Sequence, residues 1–210
     1  MKAASKLIYM IFAYLLGTVN LSYILARKEL GLDLRRSGSG NLGASNLAVH
    51  LGKGKAAMAF FADCAEEAAA LLVARALGWS EAWQAAAGLA VIAGHNWPFY
   101  LRFQGGRGMA MALTGTLILL PYEGLVLVGF LTLGVFSRHT AEMNLLALFL
   151  VPVLAWRWGR PAAFIAFTLG VLAFALLRRA QGSPEVGKKK LREDPRKVLW
   201  SRIIYDREAD

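Results

Sequence analysis

The sequence predicts an all-α, polytopic membrane protein with seven transmembrane helices, its N-terminus outside and its C-terminus in the cytoplasm. Three observations carry this reading. Hydrophobic residues make up 57% of the 210-residue chain, against 18% charged residues. The charges are bunched, and the near-uncharged runs between them have the length of about 17–25 residues that a hydrocarbon core of roughly 30 Å requires. Lysine and arginine are also distributed unevenly around those runs, which sets the orientation.

The expected spans lie near 5–26, 56–78, 82–101, 108–121, 124–136, 141–157 and 161–177. The first is too long for the apolar core of a cleaved secretory signal. The stretch 108–136 reads either as one tilted helix or as two short ones folded back at Pro121-Tyr122-Glu123-Gly124. Each short helix would rise only about 20 Å at 1.5 Å per residue. Charge decides between them. With seven spans, the loops 27–55, 102–107 and 137–140 share a side with the tail 178–210, and together they hold 19 of the 24 Lys and Arg residues. Six spans would set the tail and the first loop in opposite compartments, against the positive-inside tendency. Proline and glycine within one tetrapeptide are also turn chemistry.

Residues 1–177 therefore form the transmembrane domain and 178–210 a basic cytoplasmic tail. In that tail, Val198, Leu199, Trp200, Ile203 and Ile204 are spaced for a short interfacial helix, but a solvated basic tail is the expected state. The formal charge of +10 points to cytoplasmic loops and anionic lipid, not to nucleic acid. Cys64 stands alone, so no intrachain disulfide forms. No internal repeat supports an inverted-repeat transporter.

Two glycine-rich loops carry the chemistry. The first reads Asp33-Leu34-Arg35-Arg36-Ser37-Gly38-Ser39-Gly40-Asn41-Leu42-Gly43-Ala44-Ser45-Asn46. Glycine lets backbone N–H groups turn inward, and such nests bind phosphate. A flexible loop or close helix packing through small residues is the alternative. The second is Gly94-His95-Asn96-Trp97-Pro98 followed by Phe103-Gln104-Gly105-Gly106-Arg107-Gly108. A Gly-Gly-Arg-Gly run opening a helix offers N–H donors, a positive dipole end and a guanidinium; a simple turn is the alternative. Asp63, Glu66 and Glu67 share one helix face inside the second span. Ion pairing with Arg107 or Arg138 is expected there in preference to proton transfer. His50, His95, His139 and Cys64 make no metal-binding spacing, and neither a GxSxG elbow nor a Walker loop occurs.

These motifs resemble those of the bacterial acyl-phosphate:glycerol-3-phosphate acyltransferases, the PlsY family. Asp33-x-Arg35 and Gly38-Ser39-Gly40-Asn41-x-Gly43-Ala44-x-Asn46 are similar to the family's first signature. Gly94-His95-x-x-Pro98 with Phe103-x-Gly105-Gly106-Arg107-Gly108 is similar to the second, and Ser137-Arg138 falls on the third. The resemblance spans roughly residues 8–190. It implies a seven-span enzyme of the bacterial inner membrane that moves a fatty acyl group from acyl phosphate to the 1-hydroxyl of glycerol 3-phosphate. Neither metal nor coenzyme A nor any other cofactor is implied; the partners are the two substrates and membrane lipid.

Carried over by position, Ser39, His95, Arg107, Ser137 and Arg138 are the implied catalytic residues. Arg35, Gly38, Gly40, Asn41, Gly43, Asn46, Gly105, Gly106 and Gly108 are the implied phosphate-binding ones. The chain departs from the family pattern at several places. Arg107 and Glu66 replace lysines, and Val49 replaces an arginine. His139, Ala141 and Asn144 stand where tyrosine and serines are usual. The segment that follows the last span in the family has no counterpart between Leu177 and Gly182. A non-catalytic paralogue that binds lipid or phosphate, and an anion or lipid-phosphate transporter, are the competing readings.

Overall fold

The computed structural model describes residues 3–182 and 195–205, and among them every regular element is a helix. The first expected span is broken. Helix α1 (Ala3–Gly17) ends at Thr18–Asn20, and α2 (Leu21–Leu30) starts anew. The cause is Asn20, whose buried carboxamide accepts from Tyr23 N at 2.8 Å and donates to Leu42 O at 2.9 Å. It caps α2 in the way a helix N-terminus demands and ties that helix to the first glycine loop.

Helix α3 (Ala44–Ala76) begins well before the expected residue 56. Gly52, at φ 79° and ψ 172°, is a kink inside it. Only glycine takes this conformation without cost, and it lets the first turns leave the line of the span. Those turns and α2 bury a small separate core of Ala26, Leu34, Leu42, Leu47, Ala59 and Leu101. It lies directly beneath the first glycine loop.

Helices α4 (Glu81–Asn96), α5 (Met109–Leu119), α6 (Pro121–Ser137), α7 (Thr140–Arg157) and α8 (Ala162–Gln181) complete the bundle. The stretch 108–136 is two helices, but the turn between them is tighter than the tetrapeptide suggested. Leu120 alone joins them, and Pro121 opens α6 at its first position, where its missing N–H costs nothing.

Helix α4 lies at the centre, packed on α1, α3 and α8. It meets α1 backbone to backbone: a Cβ on Gly17 would lie 2.0 Å from Val91 O, and one on Gly94 2.0 Å from Tyr14 O. Small residues permit such close helix approach. The main core gathers Leu71, Val91, Ile92, Met111 and Phe167, all 1% exposed or less.

The loops sort into two ends. At one, Lys6 lies over the rings of Trp79 and Trp83, and Arg75 donates to Ile118 O. Fully buried Glu123 pairs there with Arg160 at 2.6 Å. At the other end, Arg35 donates to Leu101 O and Arg178 to Gly105 O. Among the described residues, three stretches are long and apolar enough to cross a membrane: Ala3–Leu30, Thr140–Arg157 and Ala162–Gln181. Met109–Leu119 and Pro121–Ser137 are shorter apolar helices.

The expected solvated tail is corrected in its described part. Helix α8 runs on to Gln181, so Arg178 and Arg179 are helical and buried. Pro195–Trp200 forms α9 and continues into the turn Ser201–Tyr205. Val198, Ser201 and Arg202 are buried, and Arg179 donates to Ile203 O at 2.7 Å. Two adjacent arginines ending a helix need acceptors once buried: the returning segment and Ala141 O serve Arg179, and the second glycine loop serves Arg178. The Lys188–Lys190 run lies outside the described residues.

Candidate active site

The first glycine loop is built around Asn46. Its Oδ1 accepts Ser39 N at 3.2 Å, and its Nδ2 donates to the carbonyls of Leu34, Ser37 and Asn41 at 3.2, 3.0 and 2.9 Å. A side chain this fully used is a frame for the loop, not a phosphate ligand. Gly38, at φ 59°, is glycine because a Cβ would fall 2.2 Å from Asn46 Oδ1. Arg35 is a tie as well. Its guanidinium grips Asp33 at 2.6 Å, holding that carboxyl below the usual range, and reaches Leu101 O. The loop thus presents Ser39, Gly40, Asn41 and Gly43. Asn41 Oδ1 is buried with no hydrogen-bond partner.

The second loop departs from expectation in the same manner. Gly105 and Gly106 do not offer their N–H groups to a ligand. They donate to Asn96 O at 3.1 Å and His95 O at 3.0 Å, closing the end of α4. Their carbonyls accept Arg178 at 3.0 and 3.1 Å. A Cβ on Gly105 would lie 2.0 Å from His95 O, and one on Gly106 2.0 Å from His95 Nε2. The two glycines are therefore the bed on which the imidazole rests. Arg107 and Gly108 follow on the cavity wall, with Gly108 at φ 66° turning the chain into α5.

His95 is 2% exposed, and its Nδ1 lies 3.7 Å from Asp63 Oδ1, too long for a hydrogen bond. Both residues line the cavity. The expected pairing of the α3 carboxylates with Arg107 or Arg138 does not occur. Among the described residues, Glu66 Oε2 and both oxygens of fully buried Glu67 have no hydrogen-bond partner. Helix α3 turns Glu67 onto Gly88 and Gly115, where a Cβ would stand 2.6 Å from Oε1. Arg138 is exposed elsewhere.

The third motif is displaced. Ser137 and Arg138 are exposed where α6 ends, Arg138 in the left-handed conformation at φ 63°, and neither lines the cavity. That reversal turns them outward and the next helix inward, so Thr140, Ala141 and Asn144 line it instead. Asn144 is 7% exposed, and its Oδ1 has no hydrogen-bond partner.

Together these elements enclose a cavity of about 320 Å³. The N-termini of α3, α5 and α7 all open on it, through Gly43–Ser45, Gly108–Ala110, and Thr140, Ala141 and Asn144. None of the three carries a side-chain cap bond. Their first N–H groups and partial positive charge converge on one space, an arrangement suited to anions. The opposite wall is apolar, with Phe60, Leu113, Leu127 and Leu131. Thr140, Arg178 and Arg179 are contributors that sequence reasoning did not single out, and Asn144 was read there only as a departure from the family pattern. A polar Asn144 inside an apolar run, and paired arginines at a span's end, were the available signals.

Such a bundle defines a class: a helical membrane protein whose cavity combines helix N-termini and an arginine with an apolar wall at one end. The profile of the family described as glycerol-3-phosphate acyltransferase matches residues 7–183. The glycerol-3-phosphate acyltransferase of Prochlorococcus marinus is 37% identical over 177 residues, 82% of this chain and 87% of that one. The Halalkalibacterium halodurans enzyme of the same name is 38% identical over 79% of this chain and 84% of its own. The crystal structure of PlsY, an integral membrane glycerol 3-phosphate acyltransferase, in its glycerol 3-phosphate form superposes with a TM-score of 0.77. It is 28% identical, with 94% of each chain covered. Its lysophosphatidic acid form superposes at 0.74, with 26% identity and 94% and 93% covered. The chain belongs to the glycerol-3-phosphate acyltransferase family, and it is a membrane acyltransferase.

Proposed function

We propose that the cavity transfers a fatty acyl group from acyl phosphate to the 1-hydroxyl of glycerol 3-phosphate, making lysophosphatidic acid and phosphate. The observation that carries this is the convergence of three uncapped helix N-termini and Arg107 on a cavity with one apolar wall. Two phosphate-bearing substrates need two anion-binding regions, and the acyl chain needs the apolar wall. Acyl phosphate is a mixed anhydride, already activated. The acceptor hydroxyl oxygen attacks its carbonyl carbon, the carbonyl–phosphate bond breaks, and phosphate leaves. A phosphate oxygen takes the hydroxyl proton. The protein's part is orientation and stabilisation of developing charge. Arg107 and the α5 N-terminus face phosphate. Asn144 Oδ1, an acceptor without a partner, suits a hydroxyl of the acceptor. His95 and Asp63 border the same space.

The purified protein, given palmitoyl phosphate and glycerol 3-phosphate, is expected to release phosphate. Absence of release with acyl phosphates of any chain length would leave a phosphate-binding paralogue. Within that assay, Asn144→Ala should lower kcat/KM by about tenfold, the upper range for one neutral hydrogen bond. Arg138→Ala should stay near the parent rate; the reverse ranking would restore Ser137 and Arg138 to the site.

We further propose seven crossings of a bacterial inner membrane, with both glycine loops cytoplasmic. The sorting of loops into two ends, with Glu123–Arg160 opposite Arg35–Leu101, supports this. Reporters fused at Glu123 and after Gln181 should locate outside and inside respectively. The same location for both would overturn the topology.

A further inference from the structure

The segment Pro195–Tyr205 lies beyond the residues matched to the family, which end at 183, yet it is locked to the bundle by two reciprocal arginines. Arg179, 3% exposed, donates to Ala141 O at 2.9 Å and to Ile203 O at 2.7 Å. One guanidinium therefore holds both the first turn of α7 and the returning segment. Arg202, 4% exposed, donates from Nη1 to Ala180 O and Gln181 O, 3.3 Å each. Those carbonyls end α8 and have no helical donor of their own. Val198, 2% exposed, adds apolar burial. The clamp fixes the turn Ser201–Tyr205, and Tyr205 lines the cavity together with Thr140, Ala141 and Asn144.

We propose that Tyr205 is a specificity-determining residue for the phosphate-bearing acceptor, an inference that rests on the acyl-transfer reading above. The wall it joins favours the acceptor over the donor. Asn144, 7% exposed, turns into that wall an Oδ1 with no hydrogen-bond partner. This atom takes hydroxyl donors, which glycerol 3-phosphate has and a fatty acyl phosphate lacks. The N-terminus of α7 supplies N–H groups for the acceptor's phosphate. The Tyr205 phenol closes this side and donates a hydrogen bond to the same molecule.

Steady-state rates with palmitoyl phosphate and glycerol 3-phosphate test this, with KM measured for each substrate separately. Tyr205→Ala and Tyr205→Phe should raise the acceptor KM about tenfold and leave kcat and donor KM within about twofold, as expected for a lost hydrogen bond used in binding. Trp200→Ala, in the same segment and 64% exposed, should match the parent. An unchanged acceptor KM, or a rise in donor KM instead, overturns the assignment. Thermal shifts with glycerol 3-phosphate alone separate this inference from the acyl-transfer reading. A parent that releases no phosphate, but whose Tm rises with glycerol 3-phosphate in a way Tyr205→Ala abolishes, keeps Tyr205 and discards the donor. A parent that turns over with Tyr205→Ala unchanged does the opposite. A parent with neither response overturns both.

Discussion

Gly106→Ala should lower kcat/KM by at least about 100-fold, the scale of a roughly 1 Å misplacement of reacting groups. The added methyl would stand 2.0 Å from His95 Nε2, and the backbone beneath it has nowhere to retreat. Gly106 N–H is bonded to His95 O, and its carbonyl is held by Arg178. Either the imidazole leaves the cavity wall or the loop leaves α4, and Arg107 moves with it. Overpacking of this kind also costs about 1–3 kcal/mol of stability, so Tm should fall. Gly54→Ala is the comparison, because no atom lies within 4 Å of its added Cβ. That variant should keep full activity, and alanine's helix propensity, worth about 1 kcal/mol over glycine, should raise its Tm. Phosphate release and thermal melts of both variants check the pair. A Gly106→Ala enzyme at parental rate would show that the imidazole's position is irrelevant to turnover.

Legibility in the sequence follows the range of the forces involved. The helical class was readable because apolar run length is a local property imposed by the bilayer. The turn near Pro121 was readable for the same reason, since proline's preference for a helix start is local. The break at Asn20 was not, because it depends on Leu42, which lies far along the chain and accepts the same carboxamide. Within the site, the motifs located the right loops but blurred the roles inside them. Asn46, Gly105 and Gly106 are there to hold backbone and imidazole in place. In a sequence, a glycine that approaches a ligand cannot be told from one that approaches a histidine. Ser137 and Arg138 lie off the cavity for a geometric reason: a left-handed residue at Arg138 reverses the facing of neighbours only a few positions apart. The paired arginines of α8 read as tail because the backbone carbonyls that hold them, at Gly105, Gly106, Ala141 and Ile203, are remote in sequence.

Arg107→Ala should lose roughly 10- to 100-fold in kcat/KM, since a charge-assisted contact to phosphate is worth about 1.5–3 kcal/mol. Arg107 lines both the main cavity and a smaller polar recess with Ser39, Gly40 and Asn41. A phosphate there would meet the guanidinium, the first glycine loop and the α5 N-terminus together. The sharper variant is Arg107→Lys. Had Arg107 formed a bidentate pair with Glu66, lysine would serve poorly, because a fork cannot be replaced by a point charge. Glu66 makes no such pair among the described residues, so that pair imposes no fork geometry on position 107. Lysine should therefore recover most of the parental rate, and the resemblance to a family that uses lysine here points the same way. Rates for all three proteins, at fixed ionic strength and with KM resolved for each substrate, decide the matter. A lysine variant as slow as the alanine one would mean that fork geometry is required. An alanine variant at full rate would remove Arg107 from the site, leaving the helix N-termini alone to hold the phosphates.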